Sequence, residues 1–199
     1  AIANPAMNAK SPHIVFTGGG TLGHLFPGLA VAAALKRLSP HAQICFAGSG
    51  KAAEQRHVLL AGFDYLTLPC RPRPQRLLDS LRFVSDNARG WRKAARYLRT
   101  HRPDAVVGLG GYASYPMARA AQSLGISLIL LEQNALPGRA TRKLAPRAKL
   151  ICLAFEEARP YLQTAGPTRV TGNPVRHVGT SRLRAKSTRR LLVLGGSQG

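Results

Sequence analysis

The residues best suited to chemistry lie in one glycine loop, Gly18-Gly19-Gly20-Thr21-Leu22-Gly23-His24. Glycine permits positive φ and lets backbone N–H groups come close to a ligand, and a helix starting at such a loop adds partial positive charge for an anion. An imidazole, with an ordinary pKa of about 6.5, can take a proton from a weak hydroxyl nucleophile at neutral pH. His24 fits that task, and it fits a capping or packed side chain as well. His13, His41, His57, His101 and His177 have no such setting and read as surface or packed residues. Three further loops combine glycine with short polar side chains: Gly110-Gly111-Tyr112-Ala113-Ser114, Glu132-Gln133-Asn134 and Gly172-Asn173-Pro174-Val175-Arg176. One such loop is ordinary turn chemistry. Four along one sheet edge make a crevice lined with hydrogen-bonding groups.

Several familiar chemistries lack support. Gly18, Gly20 and Gly23 fall at GxGxxG spacing, but no acidic residue ends the apolar run at 43–47, where a dinucleotide enzyme holds its ribose. No Gly-Lys-Ser/Thr follows, so the loop is not of Walker type. Cys45, Cys70 and Cys152 are widely spaced and read as reduced, buried thiols, neither a disulfide frame nor a zinc site. No Asp-x-Asp pair is present to chelate a metal–nucleotide complex, so neither metal nor cofactor is expected.

The elements that must position these loops alternate between strand and helix. His13–Thr17 is a short β-branched and aromatic run, as a buried strand would be. From Pro27 the pattern turns helical, with small residues and Leu29, Leu35 and Leu38 available for close packing. Further strands are predicted at 43–47, 65–68, 105–109, 127–131, Leu150–Leu153 and 169–171, with helices at 53–61, 116–124 and 156–162. Repeated βα units at this spacing predict an α/β fold: a Rossmann-like, doubly wound parallel sheet covered on both faces. Residues 178–189 are polar and basic, as an interdomain linker would be. Residues 191–194 then resume as an apolar strand that enters Gly195-Gly196-Ser197-Gln198-Gly199, the opening of a second domain.

Charge narrows the partners. Lys and Arg number 29 against 8 Asp and Glu, which points to anionic membranes, polyanionic substrates or nucleic acid. Residues 71–102 carry ten basic and two acidic residues. Leu77, Leu81, Val84 and Ala88 form one stripe at helical spacing, and Trp91, Ala94, Ala95 and Leu98 form another. The plain reading is two surface helices with packed apolar faces. The sharper one is a basic amphipathic surface on anionic lipid, with Leu78 or the off-stripe Phe83 inserting. Aromatic residues are few and form no stacking platform, so nucleic acid is not an expected partner. No run of eighteen apolar residues occurs, and residues 1–12 contain no apolar signal core.

Taken in order, GGGTLGH, FPGLAVA, GGYAS, EQN, GNPVR and GGSQG closely resemble the MurG family of N-acetylglucosaminyltransferases, from His13 to Gly199. The resemblance implies two Rossmann-like domains of the GT-B type with the active site in the cleft between them. Residues 13–177 would be the acceptor domain, preceded by an extension at 1–12. Residues 178–189 would be the linker and 190–199 the first strand and glycine loop of the donor domain, making the chain an incomplete copy, inactive by itself. The implied reaction moves N-acetylglucosamine from UDP-N-acetylglucosamine to the muramyl 4-hydroxyl of undecaprenyl-diphosphoryl-N-acetylmuramyl-pentapeptide, with inversion, in peptidoglycan synthesis. The enzyme would sit peripherally on the cytoplasmic face of the bacterial membrane.

On this resemblance His24 is the base, with Glu132 either a second base or a carboxylate that orients Asn134. Thr21, Leu22, Gly23, Asn134, Arg176 and Ser197 match positions that touch the donor nucleotide. Gly19, Gly20, Gly110, Gly111 and Tyr112 would hold the acceptor diphosphate through N–H groups and a hydroxyl. Two positions depart from the family pattern: glycine is usual where this chain has Leu22, and histidine is usual where it has Leu131. Two alternatives stay open, a related glycolipid transferase with another acceptor such as diacylglycerol, and a basic nucleic-acid-binding α/β module.

Overall fold

A computed structural model describes residues 11–74, 76 and 79–175. Among these residues seven strands form one sheet: β1 (His13–Thr17), β2 (Gln43–Gly48), β3 (Asp64–Thr67), β4 (Ala105–Gly108), β5 (Ser127–Glu132), β6 (Leu150–Leu153) and β7 (Thr168–Val170). Their order is β3-β2-β1-β4-β5-β6-β7, and every neighbouring pair is parallel. The expected doubly wound sheet is therefore present. Its order reverses between β1 and β4, and ligands of open α/β sheets bind outside the carboxyl ends of the strands at such a point.

Alternating side chains on the central strands supply two cores. Phe16, Phe46 and Val107 pack with Leu25 and Leu29 of α1 (Leu22–Leu38) and Val58 of α2 (Ala52–Leu60). Val15, Ala47, Val106 and Leu128 face the other way. They pack with Leu98 of α3 (Ser80–His101), Met117 of α4 (Tyr115–Ser123) and Leu144 of α5 (Arg139–Leu144). Strand boundaries fall within about one residue of those the apolar runs predict, as expected of short buried strands.

Several expectations need correction. α1 starts at Leu22, not at Pro27, which is buried in its second turn. Proline there forgoes only the hydrogen bond back to the Gly23 carbonyl, and the packing of Leu25, Gly28 and Leu29 carries the helix through it. Among the described residues of 71–102 there is a single α-helix, α3, not two. A 22-residue helix is about 33 Å long while a four-residue strand is about 13 Å, so only part of α3 reaches the sheet. Its buried residues are Gly90, Ala94, Ala95 and Leu98. Leu81 and Val84, expected on a packed stripe, are 82% and 62% exposed, whereas the off-stripe Phe83 is half-buried. Residues 156–162 form a 3-10 turn, Glu156–Tyr161, interrupted by Pro160. Of the three free cysteines only Cys45 is buried; Cys70 is half-buried, and desolvation pushes its thiol up to about 12.

Leu77, Leu78, His177, the 1–10 part of the extension, the linker at 178–189 and the strand at 191–194 lie outside the described residues. Among those described, no helix is long and apolar enough to cross a membrane.

Candidate functional site

The loops after β1 and β4 interlock at the point where the strand order reverses. Gly18 N–H donates to the Ala47 carbonyl at 3.1 Å and Leu109 N–H to the Thr17 carbonyl at 2.8 Å, so both loops leave the sheet at fixed points. Gly20 has φ +88°, and a Cβ there would stand 2.5 Å from the Tyr112 ring, which lies over it. A Cβ on Gly111 would stand 2.4 Å from the Gly19 carbonyl oxygen. The glycines thus serve close approach between two loops, and side chains would drive the loops apart.

His24 sits in the first turn of α1 because the helix starts five residues earlier than its proline suggests. Its Nδ1 lies 2.8 Å from Thr21 Oγ1. Thr21 is the extended N-cap residue, yet its hydroxyl engages the imidazole and does not cap the helix. When Nδ1 carries the proton and donates to Thr21, Nε2 keeps its lone pair as an acceptor. The ring runs along Gly110 and Gly111: a Cβ on Gly110 would lie 3.5 Å from Nε2, and one on Gly111 would lie 3.6 Å from Nδ1. Desolvation by burial lowers the His24 pKa below its ordinary value, partly opposed by the Glu132 charge.

Glu132, at the end of β5, is only 4% exposed. Its Oε1 accepts hydrogen bonds from Asn134 N and Nδ2 at 3.1 and 3.2 Å, and its Oε2 accepts one from Gly138 N at 3.1 Å. This carboxylate ties the backbone and side chain of Asn134 to Gly138 at the start of α5. Asn134 itself is exposed. Gln133 beside it borders the space over Gly110.

The pattern reading missed Glu54. This carboxylate on α2 is 1% exposed and ties three elements together. It accepts from Gly20 N at 2.6 Å, from Ser49 N at 3.0 Å, from the Ser49 hydroxyl and from the Tyr65 hydroxyl at 2.8 Å. Lys51 Nζ donates to the Gly20 carbonyl at 2.7 Å. Gly20 is therefore gripped through both its N–H and its C=O. Charge-assisted bonds from backbone N–H groups to a carboxylate are among the stronger ones available. One signal was in the sequence: with 8 acidic residues in all, a lone Glu just after Gly48-Ser49-Gly50 needed a partner.

The structure thus brings together Gly19, Gly20, Thr21, His24, Gly110, Gly111, Tyr112 and, through Gln133, the 132–134 loop. Gly23 is exposed and Leu22 is partly buried against the α1 core. Leu131 is buried in that same core with Phe16 and Leu25, so an apolar side chain suits its place. The described end of the fourth loop does not join the cluster. A Cβ on Gly172 would meet no heavy atom within 4 Å, and Pro174 and Val175 border a groove with Phe26 and His57. Arg176 and Ser197 lie outside the described residues. Among the described residues no three His, Cys, Asp or Glu side chains are placed to hold a metal ion.

The sequence profile of the glycosyltransferase family 28 N-terminal domain matches residues 14–152, which include every strand from β2 to β5 and both interlocking loops. The chain belongs to glycosyltransferase family 28. Among curated relatives, the UDP-N-acetylglucosamine--N-acetylmuramyl-(pentapeptide) pyrophosphoryl-undecaprenol N-acetylglucosamine transferase of Chlorobium phaeobacteroides is 37% identical over 200 residues. That match covers 94% of this chain and 55% of the relative. The enzyme of the same name from Chlorobium luteolum is 40% identical over 169 residues, covering 82% of this chain and 46% of the relative. The chain spans about half the length of the curated relatives it matches. Among solved structures, MurG of Acinetobacter baumannii superposes with a TM-score of 0.67 at 27% identity, over 84% of this chain and 47% of that one. A UDP-N-acetylglucosamine 2-epimerase superposes at 0.62 with 14% identity, a likeness of fold alone. The family 28 assignment accounts for the parallel sheet and the glycine loops at its switch point.

Proposed function

We propose that the protein transfers N-acetylglucosamine from UDP-N-acetylglucosamine to undecaprenyl-diphosphoryl-N-acetylmuramyl-pentapeptide, and that this chain supplies the acceptor-binding domain. The reading rests above all on His24, a half-buried imidazole held by Thr21 over two glycines at the switch point of the sheet. The names of the relatives support the substrates. Residues 178–189 serve as the linker to a donor-binding domain, to which Arg176 and Ser197 contribute.

The mechanism follows from the balance of the reaction. The acceptor hydroxyl oxygen attacks the anomeric carbon from the face opposite the diphosphate. The new C–O bond forms as the bond to the diphosphate oxygen breaks, the configuration inverts, and the hydroxyl proton passes to His24 Nε2. A lowered pKa keeps that nitrogen unprotonated and ready at neutral pH. N–H groups of Gly19, Gly110 and Gly111, with the Tyr112 hydroxyl, bind the acceptor diphosphate; the Gly20 N–H, expected to join them, is already given to Glu54. Glu132 acts as a positioning residue for Asn134. The deciding experiment incubates the full-length gene product with radiolabelled UDP-N-acetylglucosamine and either the muramyl lipid or diacylglycerol. Label in the muramyl lipid alone is expected; label in diacylglycerol would favour a different glycolipid product.

An acceptor anchored in lipid requires the enzyme to meet the membrane. The first half of α3 projects Leu81 and Val84 into solvent with Arg82, Arg89 and Arg92 on the same helix. Each basic residue near an anionic surface contributes about 1 kcal/mol. The apolar contact therefore falls to Leu81 and Val84 in place of Phe83. Co-sedimentation with anionic vesicles, and not with zwitterionic ones, is expected, reduced by charge reversal at Arg76 and Arg82. Equal binding to both vesicle types would remove α3 from the membrane contact.

A further inference from the structure

The short loop after β5 holds a side chain whose hydrogen-bonding capacity is unspent. Both amide atoms of Gln133, Oε1 and Nε2, are buried without a hydrogen-bond partner among the described residues. Its neighbours show the contrast, since the Glu132 carboxylate takes bonds from Asn134 N, Asn134 Nδ2 and Gly138 N. A buried amide left unpaired costs more than an ordinary hydrogen bond gains, so such a group calls for an explanation. Its position supplies one. A Cβ built on Gly110 would lie 3.8 Å from Gln133 Oε1 and 3.5 Å from His24 Nε2. The amide and the imidazole therefore border the same small space beside Gly110, which a side chain at that residue would crowd.

We propose that Gln133 is a substrate-binding residue whose amide takes up a neutral sugar substituent beside the hydroxyl that His24 deprotonates. The substituent must both donate and accept a hydrogen bond, as a second hydroxyl or an acetamido group does. A phosphate offers only acceptors and would leave Oε1 facing its charge. Gln133 thereby sets specificity, because a site built to pair with a polar group rejects an analogue that lacks it. The assignment rests on the transferase reading given above.

The test replaces Gln133 by apolar side chains of similar size, Gln133→Leu and Gln133→Met, in the full-length gene product. Two quantities are read: Tm without substrates, and kcat/KM with UDP-N-acetylglucosamine and the muramyl lipid. Expected are a Tm equal to or above that of the wild type and a kcat/KM lower by about 10- to 100-fold, the loss of two neutral hydrogen bonds. A Tm lower by more than about 4 °C in both variants would mean that the amide is spent inside the fold, and the proposal falls. A kcat/KM within about twofold of wild type, against the loss those hydrogen bonds predict, would equally remove Gln133 from the substrate. Wild-type protein that transfers no sugar to the muramyl lipid would sink the transferase reading and the proposal with it, a result distinct from the other two.

Discussion

The two ends of the sheet carry histidines in opposite circumstances. At the carboxyl end, the His24 ring lies along two glycines, with Nδ1 on a threonine hydroxyl and Nε2 facing the space shared with Gln133. At the amino end, His101 stacks on Tyr97 with ring centroids 4.0 Å apart and donates from Nδ1 to the Tyr97 carbonyl at 3.0 Å. His13 donates from Nδ1 to the His101 carbonyl at 3.2 Å, and its ring meets that of His101 edge-on at 6.4 Å. The amino-end pair is occupied with holding α3 to β1. What makes a histidine available for chemistry here is the backbone around it: residues without side chains give the ring a free edge, and a threonine hydroxyl holds Nδ1 in place.

The sharpest break of this contrast is His24→Ala against His101→Ala. The first should lower turnover of the full-length protein by about two to four orders of magnitude, the usual range for loss of a general base, with little change in sugar-nucleotide binding. The second should leave turnover within about twofold, because no reacting group is near it. Steady-state assays of both variants decide the matter, and equal losses would erase the distinction.

Next in size is the carboxylate at each end, buried at one and exposed at the other. Glu54→Leu strands the Gly20, Ser49 and Tyr65 donors and should cost about 2–4 kcal/mol in urea denaturation. Asp104, which accepts from His13 N at 2.8 Å in an exposed setting, should cost below about 1 kcal/mol as Asp104→Asn. Glycines sharpen the comparison further. Gly20→Ala meets both a positive φ and the Tyr112 ring, while Gly62→Ala at φ +79° has nothing within 4 Å. The strained backbone alone is worth about 1–2 kcal/mol, so Gly20→Ala should exceed Gly62→Ala, measured by the same denaturation.

The smallest effect is on pH dependence. Burial sets the folded pKa of His24 below its unfolded value of 6.5. The contribution to stability is full above 6.5 and is lost as pH falls from there through the folded pKa, because the unfolded chain binds the proton more readily. The acidic limb of kcat/KM should likewise lie below pH 6.5. His24→Ala should flatten that part of the stability profile; pH-dependent urea midpoints would show it.

The central strands were legible from apolar runs because they lie between helices and carry no competing polar demand, as with Val15, Phe16, Val106 and Leu128. The loops were legible because only glycine fits them. Three features were not. The start of α1 was hidden because Pro27 reads locally as a first-turn residue, whereas tertiary packing of Leu25 and Gly28 extends the helix backwards. The exposed stripe of α3 was misread because periodicity reports an apolar face without saying whether a neighbour covers it. Glu54 escaped because a lone acid on a helix looks solvated until the loops that it ties are seen.

Leu109 is fully buried, and a Cβ on Gly18 or Gly28 would stand 2.6 or 2.3 Å from its side chain. One leucine therefore sets the spacing among the first glycine loop, the body of α1 and the end of β4. For molecular evolution this makes positions 18, 28 and 109 one character in place of three. A lineage that enlarges either glycine must shrink residue 109 in compensation, and the three positions drift together or stay as they are.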